Sequence, residues 1–248
     1  MNKTIMLFAL LISVVTFGYS QTEGKIIYKE TLKLDIQIDG LDESMKDMIP
    51  QSQSLDKELF FNSTESLYQN KKGESLEGMD LSSDDGSFQI KIMVDDTEDI
   101  YYKSFDKNEK VHQRGMMGKS FVVKDELSKH KWKITGEKIK FMDYECLKAV
   151  IETDEDFIVA WFAPQIPVQA GPADLHGLPG LILMANYNDG ETEIQAQNID
   201  FRALEKGEMK IPNDGKKVNE EEYERIFEEK QQEMREMYGE DMIIKERR

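Results

Sequence analysis

Apolar residues recur at every second position early in the chain, where Tyr28, Leu32, Leu34, Ile36 and Ile38 share one parity. A two-residue period puts them on one side of an extended backbone, so a long half-buried strand is expected over 25–39, closed by Asp39-Gly40. Leu41, Met45, Met48 and Ile49 then switch to helical spacing ahead of Pro50, which predicts a short amphipathic helix that the proline ends. Short β-prone runs follow at 57–68, 87–95, 99–105 and 119–124, with a Gly-, Ser- and Asp-rich loop over 70–86. More strands are expected at 132–134, 137–142, 145–152, 157–162, 181–187 and 191–201. Asn188-Asp189-Gly190 joins the last two as a hairpin, because these residues tolerate the positive φ that a tight primed turn demands.

The pattern changes once more near the end. Asn219 can cap a helix with Glu222 as its capping-box partner, and Tyr223, Ile226, Phe227, Met234, Met237 and Tyr238 mark one face of it. Gly239 can end it. Many strands and few helices predict a mostly β fold: one antiparallel domain over 21–205, followed by an acidic amphipathic helix and tail over 206–248.

Residues 1–20 stand apart. Lys3 precedes an apolar run from Ile5 to Gly18, and small residues flank Tyr19, the layout of a secretory signal cut after Ser20. The run is shorter than the roughly 20 residues a spanning helix needs. The mature protein is therefore expected to be secreted, in the periplasm or outside the cell, with no transmembrane segment after cleavage. Charge sharpens this picture. The 248 residues carry 49 Asp and Glu against 32 Lys and Arg, a net charge of −17. Such an excess of acid disfavours nucleic acid as a partner, since phosphate binding needs clustered cations. One cysteine, Cys146, excludes an intrachain disulfide and a Cys-based zinc site. In its alternating strand it reads as a buried, inert thiol.

Residues 160–186 break from their charged surroundings. Between Trp161 and Ile182 the only formal charge is Asp174, and four of the six prolines lie here, at 164, 167, 172 and 179. A stiff, extended excursion is expected, with Leu178-Pro179-Gly180-Leu181 as a type II turn whose positive φ falls to Gly180. It either closes one end of the sheet or meets a ligand or partner.

The string Gly177-Leu178-Pro179-Gly180-Leu181-Ile182 resembles the signature of the GLPGLI family of secreted Bacteroidetes proteins. The agreement extends through Ala160-Trp161-Phe162, Ile166-Pro167 and Gly171-Pro172, and back to Trp132, Lys133, Ile134, Tyr144, Cys146, Lys148 and Ala149. The resemblance covers about residues 25 to 205. It implies a secreted β protein of unknown biochemical role and brings no catalytic residues with it. The strand through Trp161 and Phe162 that leads to the Gly-Leu-Pro turn is also similar to half-barrel carriers of lipoproteins. That likeness implies a strongly curved sheet or half-barrel.

Chemistry is sparse. His112, His130 and His176 lack metalloprotease spacing, and no Gly-x-Ser-x-Gly elbow occurs. His112, Met116 and Met117 form a weak soft-metal set suited to copper(I), set against a plain hairpin loop. Asp80, Asp84 and Asp85, and Asp95, Asp96, Glu98 and Asp99, read as solvated turns without EF-hand spacing. No cofactor is implied. The reading is a non-enzymatic envelope module for an apolar ligand or a partner protein, with Trp161, Phe162, Leu178, Pro179, Gly180 and Leu181 as the residues to suspect. A secreted hydrolase or peptidase accessory is the alternative, its acid–base carboxylates not identifiable from sequence.

Overall fold

A computed structural model of the chain describes residues 22–34, 50–74, 79–82, 89–92, 99–154 and 156–238. In chain order the strands are β1 (Gly24–Lys33), β2 (Ser52–Phe61), β3 (Glu65–Asn70), β4 (Met79–Ser82), β5 (Gln89–Ile92), β6 (Ile100–Ser104) and β7 (Glu109–Met116). Then come β8 (Lys119–Glu126), β9 (Lys133–Phe141), β10 (Tyr144–Glu152), β11 (Phe157–Ala163), β12 (Leu181–Tyr187), β13 (Thr192–Asp200) and β14 (Lys216–Val218), before a C-terminal helix, α1 (Glu220–Tyr238). Twelve strands form one open sheet in the order β14-β8-β7-β6-β3-β2-β1-β13-β12-β11-β10-β9, with β4 and β5 paired apart from it. All its neighbours run antiparallel except β14 and β8.

Within the described part of the strand expected over 25–39, β1 alternates: Ile26, Tyr28 and Glu30 are buried while the residues between them are more exposed, and 35–39 lie outside the described residues. Cross-strand register carries that parity over the sheet. Tyr28 lies opposite Lys57, Leu59 opposite Tyr68, Tyr68 opposite Tyr101, Tyr101 opposite His112, and His112 opposite Val123. One face is thereby defined by these residues. Residues 163–182 and α1 both pack on it, through separate apolar clusters. Phe60, Leu67, Tyr102, Val111 and Val122 point to the opposite face, where Leu204 and Met209 pack against them.

Several expected boundaries shift for local reasons. The 57–68 run is two strands, because the Asn62 carboxamide accepts the backbone N–H of Thr64 and of Glu65 and folds the chain back. The two strands expected around 132–142 are one, with Gly136 at a φ of 86° where the β9–β10 register slips. The stretch around His112 is a strand, and only Met117 and Gly118, with φ of 52° and 71°, make the turn. The 70–86 loop contains β4. Asn188, Asp189 and Gly190 all have positive φ and close the β12–β13 hairpin as expected. The short helix expected after β1 and the acidic sets at 84–85 and 95–98 lie outside the described residues.

Asn219 caps α1, its side-chain oxygen accepting the Glu222 N–H at 2.8 Å. The reciprocal arm of the capping box is missing, because Glu222 pairs with Lys216. Tyr223, Ile226 and Phe227 dock the first turns of α1 on Phe121, Val123 and Val218. Among the described residues no helix is long and apolar enough to cross a membrane.

Candidate functional site

The chain leaves β11 at Ala163 and re-enters the sheet at Leu181, and the excursion between them lies on the sheet face. Its side chains sort cleanly. Ile166, Val168, Ala170, Leu175 and Leu178 are buried, whereas Pro164, Gln165, Pro167, Gln169, Gly177 and Pro179 are exposed. Over 165–170 and 176–180 proline-stiffened extended backbone gives a two-residue alternation, so one edge enters the core and the other faces outward, while 171–173 are buried throughout.

A buried irregular backbone must find partners for its polar groups. Every carbonyl from Gln169 to His176 has one. Lys103, a β6 residue only 1% exposed, donates from Nζ to the carbonyls of Gly171 at 2.9 Å, Ala173 at 2.6 Å and Leu175 at 2.8 Å. The Asp174 carbonyl takes two imidazoles, His130 Nε2 at 3.0 Å and His176 Nδ1 at 2.8 Å. Trp132 Nε1 donates to the His176 carbonyl at 2.8 Å, and backbone N–H groups serve Gln169, Ala170 and Pro172. Tyr28, on the central strand, donates its hydroxyl to the Ile182 carbonyl at 2.6 Å.

Two glycines allow the close packing. A Cβ on Gly180 would sit 2.4 Å from the Ala163 carbonyl oxygen, and one on Gly171 would meet Ile182 Cδ1 at 2.6 Å. The type II turn expected at 178–181 is not formed. Gly180 does not adopt positive φ, and its N–H instead closes a tighter turn onto the Leu178 carbonyl at 2.8 Å. Gly180 is required for space, while the left-handed residue is Gly177, with a φ of 86°.

Charged groups converge around the tip. Burial pushes the Lys103 ammonium down to about 7, while three carbonyls match the three N–H bonds of its charged form. Burial also pushes the His176 imidazole down to about 4, with Lys103 adding to the effect. Burial works to raise the Asp174 carboxyl, but Lys110, the Ser128 hydroxyl, Lys103 and His130 outweigh it and hold it below the usual range. His130, Asp174 and His176 each place a ligand-type atom within 4.8 Å of the other two.

Nearby, Glu30, Tyr68, Asp99, Tyr101, Ala173, Tyr187, Thr192 and Ile194 line a cavity of about 10 Å³, room for about one water molecule. Its two carboxylates are already engaged. Tyr68 donates to Glu30, while Asp99 pairs with His112 at 2.7 Å and Lys57 at 3.7 Å. Burial raises the Tyr68, Tyr101 and Tyr187 hydroxyls well above their ordinary value. The cavity has the polar lining of an acid–base site without the volume to admit a substrate.

The residues singled out in the sequence are placed as follows. Phe162, Leu178 and Leu181 are fully buried in the core, Gly180 is buried at the close approach to Ala163, Trp161 is half-buried under Lys148, and Pro179 is exposed. His112 and Met116 share a face of β7 but stand four residues apart, roughly 13 Å along a strand. His112 turns to Asp99, Met116 to the apolar cluster under α1, and Met117 is exposed in the turn. Cys146 is a free, fully buried thiol that burial pushes up to about 11. Sequence reasoning missed Lys103, His130, Asp174 and His176 as a group. Asp174 was the available signal, a single charge inside an uncharged run.

A family described as "Protein of unknown function (Porph_ging)" matches residues 151–184, the stretch from the end of β10 through the 163–182 excursion into β12. No curated protein matches the chain. Two solved structures of PNGF-II are similar in fold. The one in space group P21 has a TM-score of 0.53 and 17% identity over 83% of this chain and 33% of its own. The one in space group C2 has a TM-score of 0.52 and 16% identity over 83% of this chain and 32% of its own. The chain thus spans about a third of the length of the solved structures it matches.

Proposed function

We propose that this protein is an exported, non-enzymatic binding module of the cell envelope, of GLPGLI type, that presents the outer edge of residues 163–182 to a partner protein. The observation that carries this reading is that the excursion fills the sheet face with its own side chains. Phe162, Leu178 and Leu181, the apolar residues that a carrier would use to hold a ligand, are spent on the core. What remains outside is a rigid, uncharged ridge of Pro164, Gln165, Pro167, Gln169 and Pro179 on a chain otherwise rich in charge. Stiff backbone lowers the ordering cost of association.

The reading takes the sheet as curved. Asp99 and Tyr101 at β6 meet Ile194 of β13 around one small cavity, although β3, β2 and β1 lie between; in a flat sheet those strands would be about 19 Å apart.

Photo-crosslinking in the cells that export the protein tests the proposal. A photoreactive residue at Gln165 or Gln169 should give a discrete protein adduct that the same residue at Lys124, exposed on β8, does not. Failure of both ridge positions, or native mass spectrometry showing a retained lipid, would overturn it.

A further inference from the structure

We propose that His130, Asp174 and His176 form a binding site for a divalent transition-metal ion, with zinc the ion that fits the donor set. Two imidazoles and a carboxylate are a three-ligand set that zinc accepts, with water completing the shell. The donors come from two separate segments. His130 precedes β9, and Asp174 and His176 lie two residues apart in a turn flanked by positive φ at Ala173 (46°) and Gly177 (86°).

Tautomers can be assigned from the shared acceptor. The Asp174 carbonyl has no proton to give, so His176 Nδ1 and His130 Nε2 both donate to it. His176 therefore presents Nε2 with its lone pair free, held by a ring N–H to a backbone carbonyl. That is the outer-shell bond which commonly orients a metal-binding histidine. Trp132 fixes the same residue from its carbonyl side. His130 Nε2 also lies 3.6 Å from Asp174 Oδ2. On binding, its ring changes tautomer, the proton passing from Nε2 to Nδ1 by way of solvent, so that the neutral imidazole turns an Nε2 lone pair to the ion and leaves the Asp174 carbonyl with the His176 N–H.

The geometry needs modest closure. Donors about 2.1 Å from a tetrahedral ion lie roughly 3.4 Å apart, so those up to 4.8 Å apart draw in by about 1.4 Å. Two of the three side chains reach solvent, at 14% exposure for His130 and 31% for Asp174, which leaves an entry path. Lys103 and Lys110 nearby oppose a cation, and the Asp174 carboxylate offsets them. Bound there, the ion would stitch the tip of the 163–182 excursion to the connection between β8 and β9.

Calorimetry of the mature chain with zinc at neutral pH is the test. One ion per chain is expected, with a Kd of about 1 μM and a thermal midpoint that rises with zinc and falls back with EDTA. His130→Gln and His176→Gln should each weaken binding by at least about tenfold. Histidine modification of the unaltered protein gives a readout independent of variant folding: zinc should protect His130 and His176 from diethyl pyrocarbonate. Binding weaker than roughly 100 μM, affinity unchanged in both variants, or no protection of either histidine would each overturn the site.

Discussion

Two stretches cover one face of the large sheet. Residues 163–182 lie over its central and β10–β13 region, and α1 lies over β7, β8 and β14. The helix satisfies its own backbone and docks through one stripe, Tyr223, Ile226 and Phe227, with its cap at Asn219 and Glu220 tied to Arg114 and to Lys110 at 3.2 Å. The excursion has no regular hydrogen-bond pattern of its own. It borrows donors from Lys103, His130, Trp132 and Tyr28, residues that lie between 44 and 154 positions in sequence from the carbonyls they serve. The irregular covering is thus held through its backbone carbonyls as well as its buried side chains, whereas the helical one is held chiefly through side chains. The first should fail all at once when a donor is lost. The second should fray locally.

The widest gap between the two coverings is expected from Lys103→Met. It strands three buried carbonyls, each worth about 1–3 kcal/mol when left unpaired, and urea unfolding should show a loss of about 3 kcal/mol or more. Its pH dependence is distinctive. Burial lowers the native value to about 7 while the unfolded chain keeps the ordinary 10.5, so between these values the unfolded state binds more protons. Stability contributed through Lys103 therefore rises with pH from about 7 to 10.5 and is level below that window. The Lys103→Met variant should lack this slope; equal slopes would show that Lys103 is not the group responsible.

Gly180→Ala comes next, because its Cβ has only backbone to meet, 2.4 Å from the Ala163 oxygen. A loss of about 3 kcal/mol is expected by chemical denaturation. Gly177→Ala, with open space around it and strain only from its φ of 86°, should cost about 1–2 kcal/mol. Reversal of that order would mean that the turn conformation, and not the close approach, governs this corner.

On the helix side, Tyr223→Ala removes an edge contact with Phe121 and the stack of Arg114. About 2–3 kcal/mol is expected, seen as loss of helix signal in circular dichroism while amides in 166–182 keep their protection. Asn219→Ala is the mildest change, at about 1 kcal/mol, read as faster exchange in the first turn of α1.

This contrast also explains what could be read in advance. Elements organised by their own neighbours were legible: the alternation of β1, the Asn188-Asp189-Gly190 hairpin and the Asn219 cap. So was the mostly antiparallel sheet. The parallel pairing of the three-residue β14 with β8 was not, since it depends on tertiary placement. Asn62 split a β-prone run through a side-chain turn that periodicity does not report. The 163–182 segment was visible by its prolines and its missing charge, but its partners were not. Lys103 sits in an ordinary strand, Asp-Ile-Tyr-Tyr-Lys-Ser-Phe, and nothing local marks it as the residue that closes three carbonyls.

Hydrogen exchange across 163–182 reaches the centre of this account. The amides of Ile166, Val168, Leu175, Gly177, Gly180, Leu181 and Ile182 all have carbonyl partners, and they should exchange slowly, in step with β11 and β12, and be released together with them as denaturant is added. Exchange within seconds in this segment while β11 and β12 stay protected would mean that it is an open loop and that the sheet face beneath it is not filled.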